Sequence, residues 1–173
     1  AHVRTVTQLL LDLEALVSRD AGALPEALFG GGANGGPWAA GGARFGAYAL
    51  AEVENPDLVI FASGAEVALA VDAAKMLDGL RIKIVSMPCW ELFEEQDAAW
   101  RRKVLPAGPV RVALEAGVRF GWDRWLFGEG GKREKSGFIG MHGFGASAPA
   151  ERLYAEFGIT AEATAEKVRR LLG

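Results

Sequence analysis

Apolar positions along the chain follow two different periods. Val6, Leu9, Leu10, Leu13, Leu16 and Val17 recur at helical spacing, which predicts a helix over 5–19. From residue 44 onward, short apolar runs of strand type alternate with helical stretches. Strands are predicted over 57–61, over 81–87 where Pro88 stops the run, over 110–116 and over 138–141. Ser63 and Glu66 have the spacing of a capping box. They predict a helix reaching about Asp78, with Val67, Ala70, Val71 and Ala74 on one face and Gly79 closing it. A second helix is predicted over 91–104, with Leu92, Phe93, Trp100 and Val104 apolar. Ser147 reads as the cap of a third helix, with Pro149 in its first turn and Gly158 ending it. Thr160 reads as the cap of the last, where Val168, Leu171 and Leu172 are apolar.

Strand and helix alternating at this spacing mean βαβ units. The fold class is α/β: a mostly parallel open sheet of about five strands with helices on both faces. Sheets of this kind take ligands at the carboxyl ends of their strands. Here those ends are Ala62-Ser63-Gly64, Met87-Pro88 and Glu115-Ala116-Gly117.

The texture changes near residue 43. Residues 30–46 contain eight glycines, and glycine loses the most backbone entropy on ordering, so this stretch reads as a linker or poorly ordered segment. It has no lysine and does not lead into Gly-Lys-Ser/Thr, which excludes a phosphate-binding P-loop. The chain thus divides into an N-terminal segment, 1–43, and a domain, 44–173.

Composition narrows the function classes. The 173 residues are enough for one domain with its own core. A net charge of −3 gives no strong field, so neither nucleic acid nor an anionic membrane is expected as a partner. The run Gln8 to Leu11 is broken at once by Asp12 and Glu14, which does not read as a signal peptide. With no apolar stretch of membrane-spanning length, a cytoplasmic location is expected. Cys89 is the single cysteine, and His2 and His142 are the only histidines. Zinc sites and catalytic triads therefore lack their usual donors.

Individual candidates each have a plain alternative. Ser63-Gly64 before a helix offers backbone amides to an anion, or is simply a capped helix behind a tight turn. Cys89 precedes a helix, which favours a thiolate, but reads more simply as a buried or half-buried thiol. His142, in a glycine-rich turn, is read as a surface residue. Glu94, Glu95 and Asp97 are read as a solvated acidic face rather than a metal site. Lys132, Arg133 and Lys135 are read as an exposed charged loop, with a phosphate contact as the alternative. Trp122 and Trp125 suit a core or an interface. On these grounds alone the residues describe a binding or assembly module.

A longer pattern is more specific. Pro56-Asp57-Leu58-Val59-Ile60-Phe61-Ala62-Ser63-Gly64-Ala65-Glu66-Val67 resembles the opening of the C-terminal domain of the transketolase family. Val85-Ser86-Met87-Pro88, Trp90-Glu91-Leu92-Phe93 and Gln96-Asp97 continue the resemblance. So do Val104-Leu105-Pro106, Val112 to Gly117, and Gly121-Trp122. Ile139-Gly140-Met141, Phe144-Gly145-Ala146-Ser147-Ala148-Pro149-Ala150 and Phe157-Gly158-Ile159-Thr160 close it. The blocks are colinear over 44–172. The chain departs from the pattern in residues 1–43 and in a charged insertion between Gly128 and Phe138.

The resemblance implies an enzyme that transfers a two-carbon ketol unit between sugar phosphates. It implies thiamine diphosphate and a divalent metal, magnesium or calcium, as cofactors. It implies a homodimer, and the remaining transketolase domains and sugar phosphates as partners. It places the catalytic, cofactor-binding and metal-binding residues outside the matched region, so this portion is expected to serve assembly and to be inactive alone. One substrate-phosphate arginine of the family lies in a Ser-Arg-Gln stretch upstream of this domain. Ser18-Arg19-Asp20 stands at a comparable place, which makes Arg19 the candidate substrate-binding residue. Two alternatives remain: a free-standing α/β binding module, and the equivalent domain of a related thiamine diphosphate enzyme, such as a deoxyxylulose-phosphate synthase or a 2-oxo acid dehydrogenase β subunit.

Overall fold

A computed structural model describes residues 42–50, 53–128 and 130–173. The elements run β1 (Tyr48–Ala49), β2 (Leu58–Ala62), α1 (Glu66–Lys75), β3 (Ile82–Ser86), α2 (Trp90–Glu94), α3 (Ala98–Val104), β4 (Val110–Val118), α4 (Asp123–Phe127), β5 (Ser136–Met141), α5 (Ala150–Glu156) and α6 (Ala161–Leu172). Short 3-10 turns cover Gly42–Phe45 and Arg133–Lys135.

The strands form one sheet in the order β1-β3-β2-β4-β5. β3, β2, β4 and β5 are mutually parallel, and β1 pairs antiparallel with β3 at the edge. Side chains alternate across the central strands. Leu58, Ile60 and Ala62 of β2 join Ile82, Ile84, Val110, Val112 and Leu114 on one face, under Val67, Ala70, Val71 and Ala74 of α1 and Ala165 and Val168 of α6. Val59, Phe61, Val85 and Ala113 point to the other face, where Phe93, Val104, Trp125 and Leu126 of α2, α3 and α4 cover them. Both faces are therefore covered, which explains why β2 reads as a continuous apolar run rather than an alternating one, and β3 as an apolar run broken by Lys83. Fully burying each such Val, Ile, Leu or Phe is worth roughly 1.5–3 kcal/mol.

Several sequence expectations shift in detail. The helix expected over 91–104 is two helices. Gln96 turns the chain out of α2, and the Asp97 carboxylate accepts from the Trp100 amide at 2.7 Å, capping a fresh start. The capping box at Ser63 and Glu66 does not form: Ala65 holds the cap position, and both side chains bond elsewhere. α1 ends at Lys75, ahead of Asp78. Pro149 rather than Ser147 stands at the cap of α5. Thr160 does cap α6, accepting from the Ala163 amide at 3.1 Å. β4 and β5 are longer than their apolar runs, and β1 adds a strand that its two residues did not announce. The end of the glycine-rich run is ordered: Gly42–Phe45 form a turn, and Gly46 packs against the start of α2. The helix expected over 5–19 and the rest of that run lie outside the described residues.

Candidate functional site

β2 connects through α1 to β3 on one side, and β4 connects through α4 to β5 on the other. The two adjacent strands thus send their chains apart, over opposite faces of the sheet. This is the switch point where open α/β sheets carry ligands. Four polar side chains meet there. Ser63, just past β2, donates to Glu115 Oε2 at 2.7 Å. Glu66, in the first turn of α1, accepts a short hydrogen bond from the Tyr154 hydroxyl of α5, 88 residues away. Glu66 is buried, at 5% exposure, so Tyr154 and the turn of chain around it close over the carboxylate.

Local sequence sets this geometry. Glu115 is the first residue of β4 beyond the fully buried run Val110 to Leu114, so its side chain stands where the sheet leaves the core. It pairs with Gly140 of β5, and the register then slips before Val118 pairs with Met141. A Cβ at Gly140 would come within 2.6 Å of the Glu115 carbonyl oxygen, so only glycine lets β5 approach so closely here.

The electrostatics are those of two carboxylates sharing a partly dry end of the sheet. Burial pushes the Glu115 pKa up, the Ser63 hydrogen bond opposes it, and the nearby Glu66 charge adds to the rise. Burial, then the Glu66 hydrogen bond, pushes Tyr154 up to about 12. The cluster is therefore a clamp: its two side-chain hydrogen bonds tie β2 to β4 and α1 to α5. Its negative charge is unsuited to an anion, which removes the phosphate reading of Ser63-Gly64. Among the described residues no group of three histidine, cysteine, aspartate or glutamate side chains is placed to hold a metal ion.

The other candidates settle individually. Cys89 is half-buried, and its thiol points at Glu91 Oε2 at 3.5 Å. His142 is exposed. Glu94 pairs with Arg124, and Asp97 caps α3, so the acidic cluster has structural employment. Trp122 and Trp125 are core residues, and Trp90 stands edge-on to both, with ring centroids 5.0 and 6.2 Å away. Arg133 stacks over Phe127 at 4.5 Å within the exposed charged loop. Arg19 lies outside the described residues.

Two groups escaped sequence reasoning. Tyr154 carries no local signal, because its partner is far along the chain. Arg111 is the second residue of β4, entirely buried. Its guanidinium donates to the carbonyls of Trp125 and Gly128 at 2.8 Å, Pro106 at 2.9 Å and Leu105 at 3.4 Å. A charge within an apolar run was the available clue, since such a residue must find polar partners inside.

A second feature of this end of the sheet is its exposed apolar surface. Val118 is 54% exposed, Phe120 91% and Phe144 fully so. Every residue from His142 to Ala150 is exposed. β4 and β5 are parallel neighbours, so the chain segments that follow them leave the sheet at the same end.

Comparison with known proteins identifies relatives. Residues 46–160 match the family model described as "Transketolase-like TK C-terminal domain". A transketolase from Rhodobacter capsulatus is 57% identical over 130 residues, which covers 73% of this chain and 19% of that protein. Transketolase from Leishmania mexicana superposes with a TM-score of 0.66 at 51% identity, over 75% of this chain and 18% of that one. A Pichia stipitis transketolase, solved in complex with sedoheptulose 7-phosphate, superposes with a TM-score of 0.64 at 32% identity over 74% of this chain and 18% of that one. The chain spans less than one-fifth of the length of each of these relatives.

Proposed function

The chain belongs to the transketolase family, through its C-terminal domain, and from that membership we propose that it is the assembly portion of a ketol-transferring enzyme and is inactive alone. The observation that carries this reading is the apolar carboxyl end of the sheet. Phe144 to Ala150 form one of the blocks through which the sequence resembles the family, yet every one of these residues is exposed. Large exposed aromatic side chains such as Phe120 and Phe144 mark a contact surface awaiting its counterpart. In the proposal that counterpart is the remainder of the parent enzyme.

The parent moves a two-carbon ketol unit from a ketose phosphate to an aldose phosphate and works as a homodimer. Thiamine diphosphate supplies the electron sink for that chemistry and a magnesium or calcium ion anchors its diphosphate. In the proposal the residues that hold both groups lie in the other domains of the parent. The division near residue 44 is part of the proposal and is supported by a family match that begins at residue 46. Arg19 remains the proposed substrate-phosphate contact upstream of it. The Ser63–Glu115 and Glu66–Tyr154 pairs act here as a scaffold: they hold the exposed segment after β5 at a fixed height above the sheet.

Complementation tests the proposal. The chain is mixed with a Rhodobacter capsulatus transketolase truncated before its last domain, and ketol transfer is assayed. Activity should appear only in the mixture, and Phe120→Asp with Phe144→Asp should abolish it without unfolding the chain. Activity that is indifferent to those substitutions contradicts the docking role.

A further inference from the structure

The opposite end of the sheet carries a different charge. A groove of about 610 Å³ opens at the amino ends of β2, β3 and β4. Its lining includes five cationic side chains, Arg81, Lys83, Arg102, Lys103 and Lys135, against one carboxylate, Asp57. We propose that this groove is a binding site for a small anion bearing more than one phosphate group.

Three features make the groove a formed site rather than a scatter of surface charge. Asp57 is already committed: both its oxygens accept from Arg81, at 2.8 and 3.1 Å, and one also accepts the Arg81 amide at 3.0 Å. Those bonds hold the Asp57 pKa down to about 2, so the pair stays formed at any working pH and fixes Arg81 at the mouth of β3. The Lys83 side chain is buried, at 3% exposure, and its ammonium donates to the Lys103 carbonyl at 2.8 Å, which anchors the end of α3 to the sheet. Beneath the far rim, Arg111 grips the carbonyls of Leu105 and Pro106, which sets the path of the chain from Pro106 to Pro109.

With Arg81 neutralised by Asp57, the lining keeps an excess of four positive charges. Arg102 and Lys135 reach it from two separate segments, α3 and the turn before β5. A concave, single-sign surface with low-dielectric walls focuses its field on an anion. The volume falls within the range of small-molecule sites. A guanidinium and an ammonium on different walls suit a ligand with phosphates at two places, since arginine grips one oxygen pair bidentately and lysine acts as a point charge. The acidic pair Glu66 and Glu115 excludes the same ligand from the carboxyl end. The charged loop at Lys132 to Lys135, which the sequence reads as exposed with a phosphate contact as the alternative, thereby acquires the second role through Lys135.

Calorimetric titration of the chain with inorganic tripolyphosphate tests the site. At low ionic strength saturable binding with one ligand per chain is expected, weakening as salt is raised. Arg102→Ala combined with Lys135→Ala should weaken it by roughly tenfold or more. Lys75→Ala, which removes an exposed cation paired with Asp72 away from the groove, should leave it unchanged. A flat titration overturns the proposal, and so does an equal loss in Lys75→Ala. Tighter binding of an oligoglutamate peptide than of tripolyphosphate overturns it in favour of an acidic protein segment. Both groove substitutions are at exposed positions, so circular dichroism matching the unaltered chain confirms that any loss is local.

Discussion

The Ser63 hydroxyl donates to Glu115 Oε2 at 2.7 Å, joining the carboxyl ends of two neighbouring parallel strands across 52 residues of sequence. This bond opposes the rise that burial imposes on the Glu115 pKa. Ser63→Ala should therefore raise that pKa further. Because the folded-state value already lies above the ordinary 4.5, the folded chain holds this proton more tightly than the unfolded one. Its stabilising share is complete below the ordinary 4.5 and is lost as pH rises from there through the folded pKa. In Ser63→Ala the decline should extend to higher pH. A carbon-13 NMR titration of the Glu115 carboxyl reads the shift, and an unchanged or lower value refutes the role given to the bond.

Tyr154 provides a second titration. Its pKa is pushed up to about 12, first by burial and then by its bond to Glu66. The folded state keeps the phenolic proton longer than the unfolded chain does, so stability should fall as pH climbs from about 10 towards 12. Glu66→Gln removes the facing charge and should bring the ultraviolet phenolate transition of Tyr154 back towards 10. Tyr154→Phe identifies that transition, since Tyr48 is the other tyrosine in the chain. A transition that ignores Glu66→Gln shows that burial alone sets it.

Arg111 should be the costliest single side chain to lose. Truncation to Met takes the donor from four carbonyl oxygens, two in buried and two in part-buried hydrogen bonds. Buried acceptors left unpaired cost about 1–3 kcal/mol each where water cannot reach them. Relaxation admits some water, so a loss of roughly 3 kcal/mol or more is expected, about 6–12 °C in melting temperature for a domain of this size. Arg111→Lys should recover only part of this, because an ammonium cannot span carbonyls on both sides of its plane. A melting point within about 2 °C of the parent for Arg111→Met contradicts the account.

Gly46 and Gly79 share nearly the same backbone conformation, φ +79° and +78°, but not the same surroundings. A Cβ at Gly46 would lie 2.2 Å from the Phe93 amide nitrogen and 2.3 Å from the Cys89 carbonyl oxygen, whereas at Gly79 it meets open space. Gly79→Ala should cost only the left-handed strain, about 1–2 kcal/mol. Gly46→Ala adds a collision with backbone and should cost clearly more, separating β1 from the start of α2. Chemical denaturation of the two variants measures the difference, and equal losses refute the close approach.

The sheet was readable because its strands are buried on both faces, so Leu58 to Phe61 stands out as an unbroken apolar run, and Ile82 to Val85 and Val110 to Leu114 as apolar runs interrupted only by Lys83 and Arg111. Thr160 was readable because its cap is local. The cap at Ser63 misled for the opposite reason. Its local bond competes with a charged acceptor on β4, and the charge-assisted bond wins. Glu66 is diverted in the same way by Tyr154. Neither partner is visible at short range, so the pattern located the strand ends at Ser63 and Glu115 but misassigned the side chains there. Lys83 and Arg111 were hidden within strand runs, and the basic groove needed residues from β3, α3 and the turn before β5 to converge. The family resemblance was legible because its blocks are colinear, including the exposed Phe144 segment that packing alone does not explain.

The most direct test of the assembly role is a calorimetric titration of the isolated chain with thiamine diphosphate in the presence of magnesium, followed by a ketol-transfer assay on the same sample. The account predicts no saturable heat and no turnover. Stoichiometric thiamine diphosphate binding, or transfer of a ketol unit by the chain unaided, would contradict it.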